Sequence, residues 1–181
     1  MAEPINAKDT RPKRRPRPTD VPGDKQFQEQ VISIDRVARV VKGGRRFRFK
    51  ALVVVGDGKT KVGVGVSKGQ DVQAAIAKAT DVAKKNVIII PLQNETIPHE
   101  QEQKLAGAQV LIMPAAPGTG IIAGGVVRQV IGVTGIKNLL SKSLGSSNKV
   151  NIAYATIEAL KAQVPQKDWI KGEAETAKKG K

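Results

Sequence analysis

The chain has 181 residues, 40% of them hydrophobic, and 31 Lys and Arg against 16 Asp and Glu give a formal charge of +15 and a pI near 10.2. A core is affordable at this size, and the charge points to a polyanion, either nucleic acid or an acidic membrane surface. The absence of cysteine excludes disulfides, thiol catalysis and Cys-based zinc sites, and no apolar run approaches the roughly 18 to 20 residues of a spanning helix.

The first 26 residues hold "RPKRRPRP" (Arg11 to Pro18) and almost no bulky apolar residue, so a disordered basic arm, suited to non-specific phosphate contact, is expected over residues 1–26. It lacks the apolar core of a signal peptide, and its acids and missing serines are wrong for a transit peptide. A cytoplasmic protein with no membrane partner is expected.

From Val31 the pattern becomes strand-like. "VISIDRVARVV" is broken by Gly43 and Gly44, and then "RRFRFKALVVV" alternates, with Arg46, Arg48 and Lys50 against Phe47, Phe49, Ala51 and Val53. Two strands meeting at a glycine turn predict a hairpin. "GDGK" (Gly56 to Lys59) signals a second turn, and "KVGVGVSKG" a third strand with Val62, Val64 and Val66 on one face and glycines on the other. Asp71 is placed to cap a helix carrying Val72, Ala75, Ile76, Ala79, Val82 and Ala83. The unit reads β-β-β-α over 27–90; "NVIIIPLQ" closes the helix and starts a further strand, with Pro91 marking a junction.

A second α/β unit is expected over 91–163: a hairpin between Glu95 and Met113, a glycine loop, a helix from Gly125 to about Thr134, a strand in "IKNLLSKSL", and a helix from Asn151 to Gln163. Residues 164–181 read as a charged tail that frays. The fold class is therefore α+β, two small α/β sandwich domains behind a basic arm.

Seven basic residues and no acid lie between Arg36 and Lys50: Arg36, Arg39, Lys42, Arg45, Arg46, Arg48 and Lys50. On a hairpin tipped by Gly43 and Gly44 they form a basic finger for phosphates, and Lys59, Lys61 and Lys68 on the next turn and strand extend the set. Phe47 and Phe49 share a face with Ala51 and Val53, so both are expected under the helix as core, not exposed for base stacking.

"APGTGIIAGG" (Ala116 to Gly125) follows a strand and precedes a helix, with Gly118, Gly120 and Ala123 on dinucleotide-loop spacing. A ribose-binding acid is missing: between Glu102 and Glu158 every charge is basic. Pro114 and Pro117 also lengthen the connection, so no cofactor is expected. The residues Gly118, Thr119, Gly120, Gly124, Gly125 and Arg128 remain as a glycine-rich, anion-favouring helix start suited to RNA. "GVTG" (Gly132 to Gly135) mimics a KH-type loop but lacks its usual basic residue and reads as a helix terminus. His99, the only histidine, fits a surface turn better than a catalytic triad. Glu100 and Glu102 fit a solvated strand edge better than a glycosidase pair.

The blocks "RVARVVKGGRRFRFKALVVVGDGKTKVGVGVSKG" and "PAAPGTGIIAGGVVRQVIGVTGIKNLLSKSLGSSNKVNIAYATIEAL" closely resemble the bacterial small-subunit ribosomal protein S-five family, from about Phe27 to Leu160. The resemblance implies a double-stranded-RNA-binding-like N-terminal domain and an S-five-type C-terminal domain. It implies a structural, non-enzymatic constituent of the small ribosomal subunit that binds its rRNA where head meets body. Proteins S-four and S-eight would be neighbours, mRNA would enter nearby and be unwound, and decoding accuracy would be affected. By the same resemblance, Val41 to Arg46 form the RNA-inserting loop bordering the spectinomycin site, and Gly118 to Gly125 with Arg128 lie near RNA and S-four. The chain departs from the family pattern in its long basic arm, in Lys149 where proline commonly follows Asn148, and in Gln103 and Gln109, where glycine and a basic residue are frequent. A free RNA chaperone using the same finger is the alternative, with a nucleotide-dependent oxidoreductase a distant third.

Overall fold

The computed structural model describes residues 27–165 and Trp169. The arm expected over 1–26 and nearly all of the tail expected over 164–181 lie outside them. The elements run β1 (Gln28–Val41), β2 (Gly44–Gly56), β3 (Lys61–Gly69), α1 (Val72–Lys85), β4 (Val87–Ile89), β5 (Gln101–Leu105), β6 (Ala108–Pro114), β7 (Ile121–Ile122), α2 (Gly125–Gly132), β8 (Leu139–Gly145) and α3 (Lys149–Lys161). The first sheet is antiparallel in the order β1-β2-β3-β4; the second runs β5-β6-β8-β7, with only β7 and β8 parallel. Two α/β units are thus present, as the patterning predicts, and β4 adds a short edge strand to the first.

Alternation in β2 sends its residues to two different cores. Ala51, Val53 and Val55 pack on Ala75, Ala79 and Ala83 of α1. Leu52 and Val54, with Val62 and Val64 of β3, join one continuous cluster with Val110, Ile112, Ile131 and Leu160 of the second unit. The first sheet is therefore buried on both sides along its β2–β3 centre, and the two units share a core. Each fully buried valine or leucine contributes about 1.5–3 kcal/mol.

The helix approaches so closely because β3 presents glycine to it. A Cβ on Gly65 would sit 2.1 Å from the Ala79 carbonyl oxygen and 2.5 Å from the Ala83 nitrogen, and one on Gly63 would sit 2.3 Å from the Ala83 oxygen. Small residues on both surfaces let backbone pack on backbone. Asp71 occupies the N-cap position of α1, its carbonyl accepting from the Ala75 N–H at 3.0 Å, but its side chain makes no capping bond. At α3 the opposite holds. Asn148 Oδ1 accepts from the Val150 N–H at 3.1 Å and starts the helix at Lys149, two residues before the expected Asn151.

The β2–β3 turn fastens the units together. Asp57 Oδ1 accepts from the N–H groups of Lys59, Thr60 and Lys61 at 2.8–2.9 Å. Gly58 N–H then donates to the Val133 carbonyl (3.0 Å), and Gly135 N–H donates to the Lys59 carbonyl (2.7 Å). "GVTG" is thus the end of α2 and its docking seam. Burial pushes the Asp57 carboxyl up, but the backbone donors, Lys61 foremost, outweigh it and hold the pKa below the ordinary aspartate value.

The start of the C-terminal segment is tied down. His99 Nε2 accepts from the Val164 N–H at 3.1 Å, the other ring nitrogen meets the Glu100 carbonyl at 2.7 Å, and the ring stands edge-on to Trp169, whose Nε1–H donates to the Val164 carbonyl. At Val164 and Trp169, therefore, the expected fraying gives way to specific contacts.

Gly65→Ala should destabilise the fold by about 3 kcal/mol, read as a lower urea midpoint with little change in m, since the methyl must displace helix backbone. Asp57→Ala should destabilise at neutral pH and lose that difference in acid. Because the folded-state pKa is depressed, the Asp57 contribution is present above the unfolded carboxylate value and fades as pH falls below about 4 through the folded one. Denaturation curves of wild type and variant should therefore converge at low pH.

Candidate nucleic-acid interface

Pairing of β2 with β3 ends at Phe49 opposite Gly69, whereas β1 and β2 stay paired to Val41 opposite Gly44. Beyond Phe49 the hairpin is a two-stranded finger of five cross-strand pairs, reaching about 15 Å past the sheet. Such a ribbon is marginal by itself. Its tip turns through Gly43, at φ +90°, in the left-handed region that glycine occupies without strain.

Register divides the finger into two faces. One carries Arg36, Ala38, Val40, Arg45 and Phe47; the other carries Val37, Arg39, Val41, Arg46 and Arg48, with Lys68 of β3 beside them. On the second face Val37, Arg39, Val41, Arg46, Arg48 and Lys68 line a concavity of about 360 Å³. Arg39 lies directly opposite Arg46. Like charges facing each other across strands destabilise a hairpin, and a bound polyanion reverses the sign of that interaction.

Two sequence expectations need correction here. Lys50 is not free for a ligand: its ammonium pairs with Asp35 at 2.9 Å, directly across the strands, because Asp35 lies just outside the acid-free run. Phe47 is not core: it is 49% exposed, and Arg36 places its guanidinium carbon 3.9 Å above the ring centroid. Phe49 does pack under α1 as expected. The difference is length, since the finger outruns the helix that covers Phe49.

The remaining basic residues do not form one cluster. Lys59 and Lys61 are exposed at the β2–β3 turn, the opposite end of β2 from the tip. Lys42 sits at the tip itself, exposed. The glycine loop belongs to the end where Lys59 lies, because Asn138, three residues after Gly135, organises it.

Asn138 is the residue that sequence reasoning missed. It is buried, and its Oδ1 accepts from the N–H groups of Gly118 (3.1 Å) and Gly120 (3.0 Å) while its own carbonyl accepts from Thr96 Oγ1 (2.7 Å). Gly118 and Gly120 have φ of +91° and +75°, which only glycine adopts readily. Their amides are turned inward, so the anion-favouring loop is corrected on this point: these two N–H groups serve the fold. What still faces outward is exposed Thr119, the start of α2 at Gly124 and Gly125, where no side chain caps the helix, and exposed Arg128, whose Nη2 reaches the Ile121 carbonyl at 3.4 Å. Among the described residues no group of three or more His, Asp or Glu gathers to hold a metal ion, and no helix is long and apolar enough to cross a membrane.

A two-sheet α/β scaffold that projects a basic, acid-poor ribbon away from its core defines a nucleic-acid-binding protein of the ribonucleoprotein type. Residues 27–91 match the family described as "Ribosomal protein S5, N-terminal domain" and residues 103–172 match "Ribosomal protein S5, C-terminal domain". These two segments make up most of the chain, which belongs to the ribosomal protein S5 family: an rRNA-binding protein of the small ribosomal subunit, acting in translation.

Asn138→Ala leaves two amides without their acceptor, each such loss costing about 1–3 kcal/mol when the group stays buried. Hydrogen exchange at Gly118 and Gly120 should accelerate by about tenfold or more, while amides in β2 stay protected.

Proposed function

We propose that the finger is the chain's principal rRNA contact, gripping phosphates through Arg39, Arg46, Arg48 and Lys68 where the head of the small subunit meets its body. The observation that carries this reading is the concavity in which Arg39 faces Arg46 beside Arg48 and Lys68. No acid lies within the finger, and its nearest one, Asp35, is taken by Lys50. A surface built only for solubility intersperses both signs. Lys42 and Arg45 flank the tip, so the ribbon meets a duplex or junction with positive charge on every side but its stem.

The opposite end of the molecule offers a second contact: Lys59, Lys61, Thr119, the open backbone at Gly124 and Gly125, and Arg128. In the same reading this end lies near rRNA and protein S-four, with protein S-eight a further neighbour. The finger then stands close to where mRNA enters, where it contributes to unwinding and to decoding accuracy. The chain acts by charge neutralisation and shape, without a cofactor and without catalytic chemistry, in the cytoplasm. Family membership and the separation of two basic ends by the length of β2 support this arrangement.

Replacing Arg39, Arg46 and Arg48 with Gln tests the grip. Binding of a small-subunit rRNA fragment should weaken, and the slope of log K against log salt should become shallower by about 2 to 3, since each duplex phosphate contact contributes about 0.9. Circular dichroism should stay unchanged, because all three side chains are exposed. An unchanged salt slope would remove the finger from the interface.

A further inference from the structure

The arginine concavity accounts for one face of the finger and leaves the other unexplained. That other face carries exposed apolar side chains between Arg36 and Arg45. Val40 (75%) and Phe47 (49%), the exposed large hydrophobics of the finger, both fall on it, and Ile34 (44%) continues the same face on the stem. Such a set on a water-exposed ribbon is costly to keep bare, and it sits directly behind the proposed phosphate grip.

We propose that this face is a stacking site for one unpaired nucleobase of the bound RNA, with Phe47 and the Arg36 guanidinium as its platform. The proposal rests on the RNA reading above. Phe47 lies opposite Ala38, the smallest side chain on that face, and the side chain of β1 that reaches over the ring is Arg36. Arg36 stands over it at 3.9 Å, a cation held by the ring's electron-rich face, and the pair presents a flat, polarisable surface with fixed positive charge. A nucleobase is the matching partner: planar, apolar on its faces, and tethered to phosphates that Arg45 on the same face and Arg39 and Arg46 on the other can hold. A base inside an A-form helix has both faces stacked already, so the occupant is a bulged or looped base.

A protein partner fits the surface less well. Arg36 and Arg45 interrupt the apolar side chains, and no acid occurs from Arg36 to Lys50, so an apolar protein patch would bury uncompensated cations there. Stacking on a base asks for no such burial, because the neighbouring phosphates neutralise them.

The test uses the full chain and two short RNA stems, one fully paired and one carrying a single bulged 2-aminopurine. Wild type should bind the bulged stem about tenfold more tightly and quench its fluorescence, the scale of one base stacked on an aromatic side chain. Phe47→Leu keeps apolar bulk but removes the ring; it should abolish the preference and the quenching while leaving affinity for the paired stem unchanged. Phe47→Trp should restore both. Equal losses on the two stems with Phe47→Leu would mean a structural role only and would overturn the proposal, as would a variant that behaves like wild type. If instead wild type prefers neither stem yet the arginine variant loses both, the phosphate grip stands and the stacking site falls. Failure of wild type to bind either stem, with Phe47 protected by a ribosomal protein in the assembled subunit, would overturn both readings in favour of a protein contact.

Discussion

Backbone-to-backbone contact between β3 and α1 is the constraint on which the rest of the molecule depends. Gly63 and Gly65 remove the side chains that would hold Ala79 and Ala83 away, and the helix settles directly on the sheet. This close seat lets a 14-residue helix bury Ala51, Val53 and Val55 chiefly with alanines, Ile76 packing beside them. The alternate side chains of the same strands, Leu52, Val54, Val62 and Val64, then belong to the other face. A sheet with a thin helical layer on one side and a second α/β unit on the other has little freedom to shift, and it fixes the direction in which β1 and β2 leave the core.

The finger follows from that anchoring. Its inner end is clamped between α1 and the shared core, while its outer five pairs have no layer beneath them. Isolated, a ribbon that sets Arg39 against Arg46 would gain little from folding. Grafted to a rigid stem it is held extended, and the repulsion stored between its arginines becomes an attraction once phosphates lie between them. The same logic separates the second basic end: the Asp57 turn and the Gly132–Ile136 seam lock the two units, so the distance between the two ends is set by β2 and not by a flexible linker.

Period-two alternation made most of the first unit legible: the hairpin, the glycine face of β3 and the amphipathic α1 all follow from residue spacing, and the basic run from Arg36 to Lys50 pointed to the finger. Phe47 was misjudged because alternation gives a side chain's face but not how far the covering helix extends along it. Lys50 was misjudged for a similar reason, since its pairing with Asp35 depends on cross-strand register across a hairpin. Asn138 carried no local signal at all; its role as acceptor for Gly118 and Gly120 exists only once β7 and β8 lie side by side. Asn148 is legible as an N-cap residue two positions before Val150, the first apolar residue of α3. The shared core could not be read from periodicity, because Leu52 and Val54 look the same whether their face meets a helix, solvent or a second domain.

A high-resolution structure of the small ribosomal subunit containing this chain tests the central claim most directly, that the finger's arginine face grips rRNA. The account predicts phosphate oxygens about 3 Å from the guanidinium groups of Arg39, Arg46 and Arg48. Those three side chains turned to solvent, or packed against a neighbouring protein with no phosphate in reach, would contradict it.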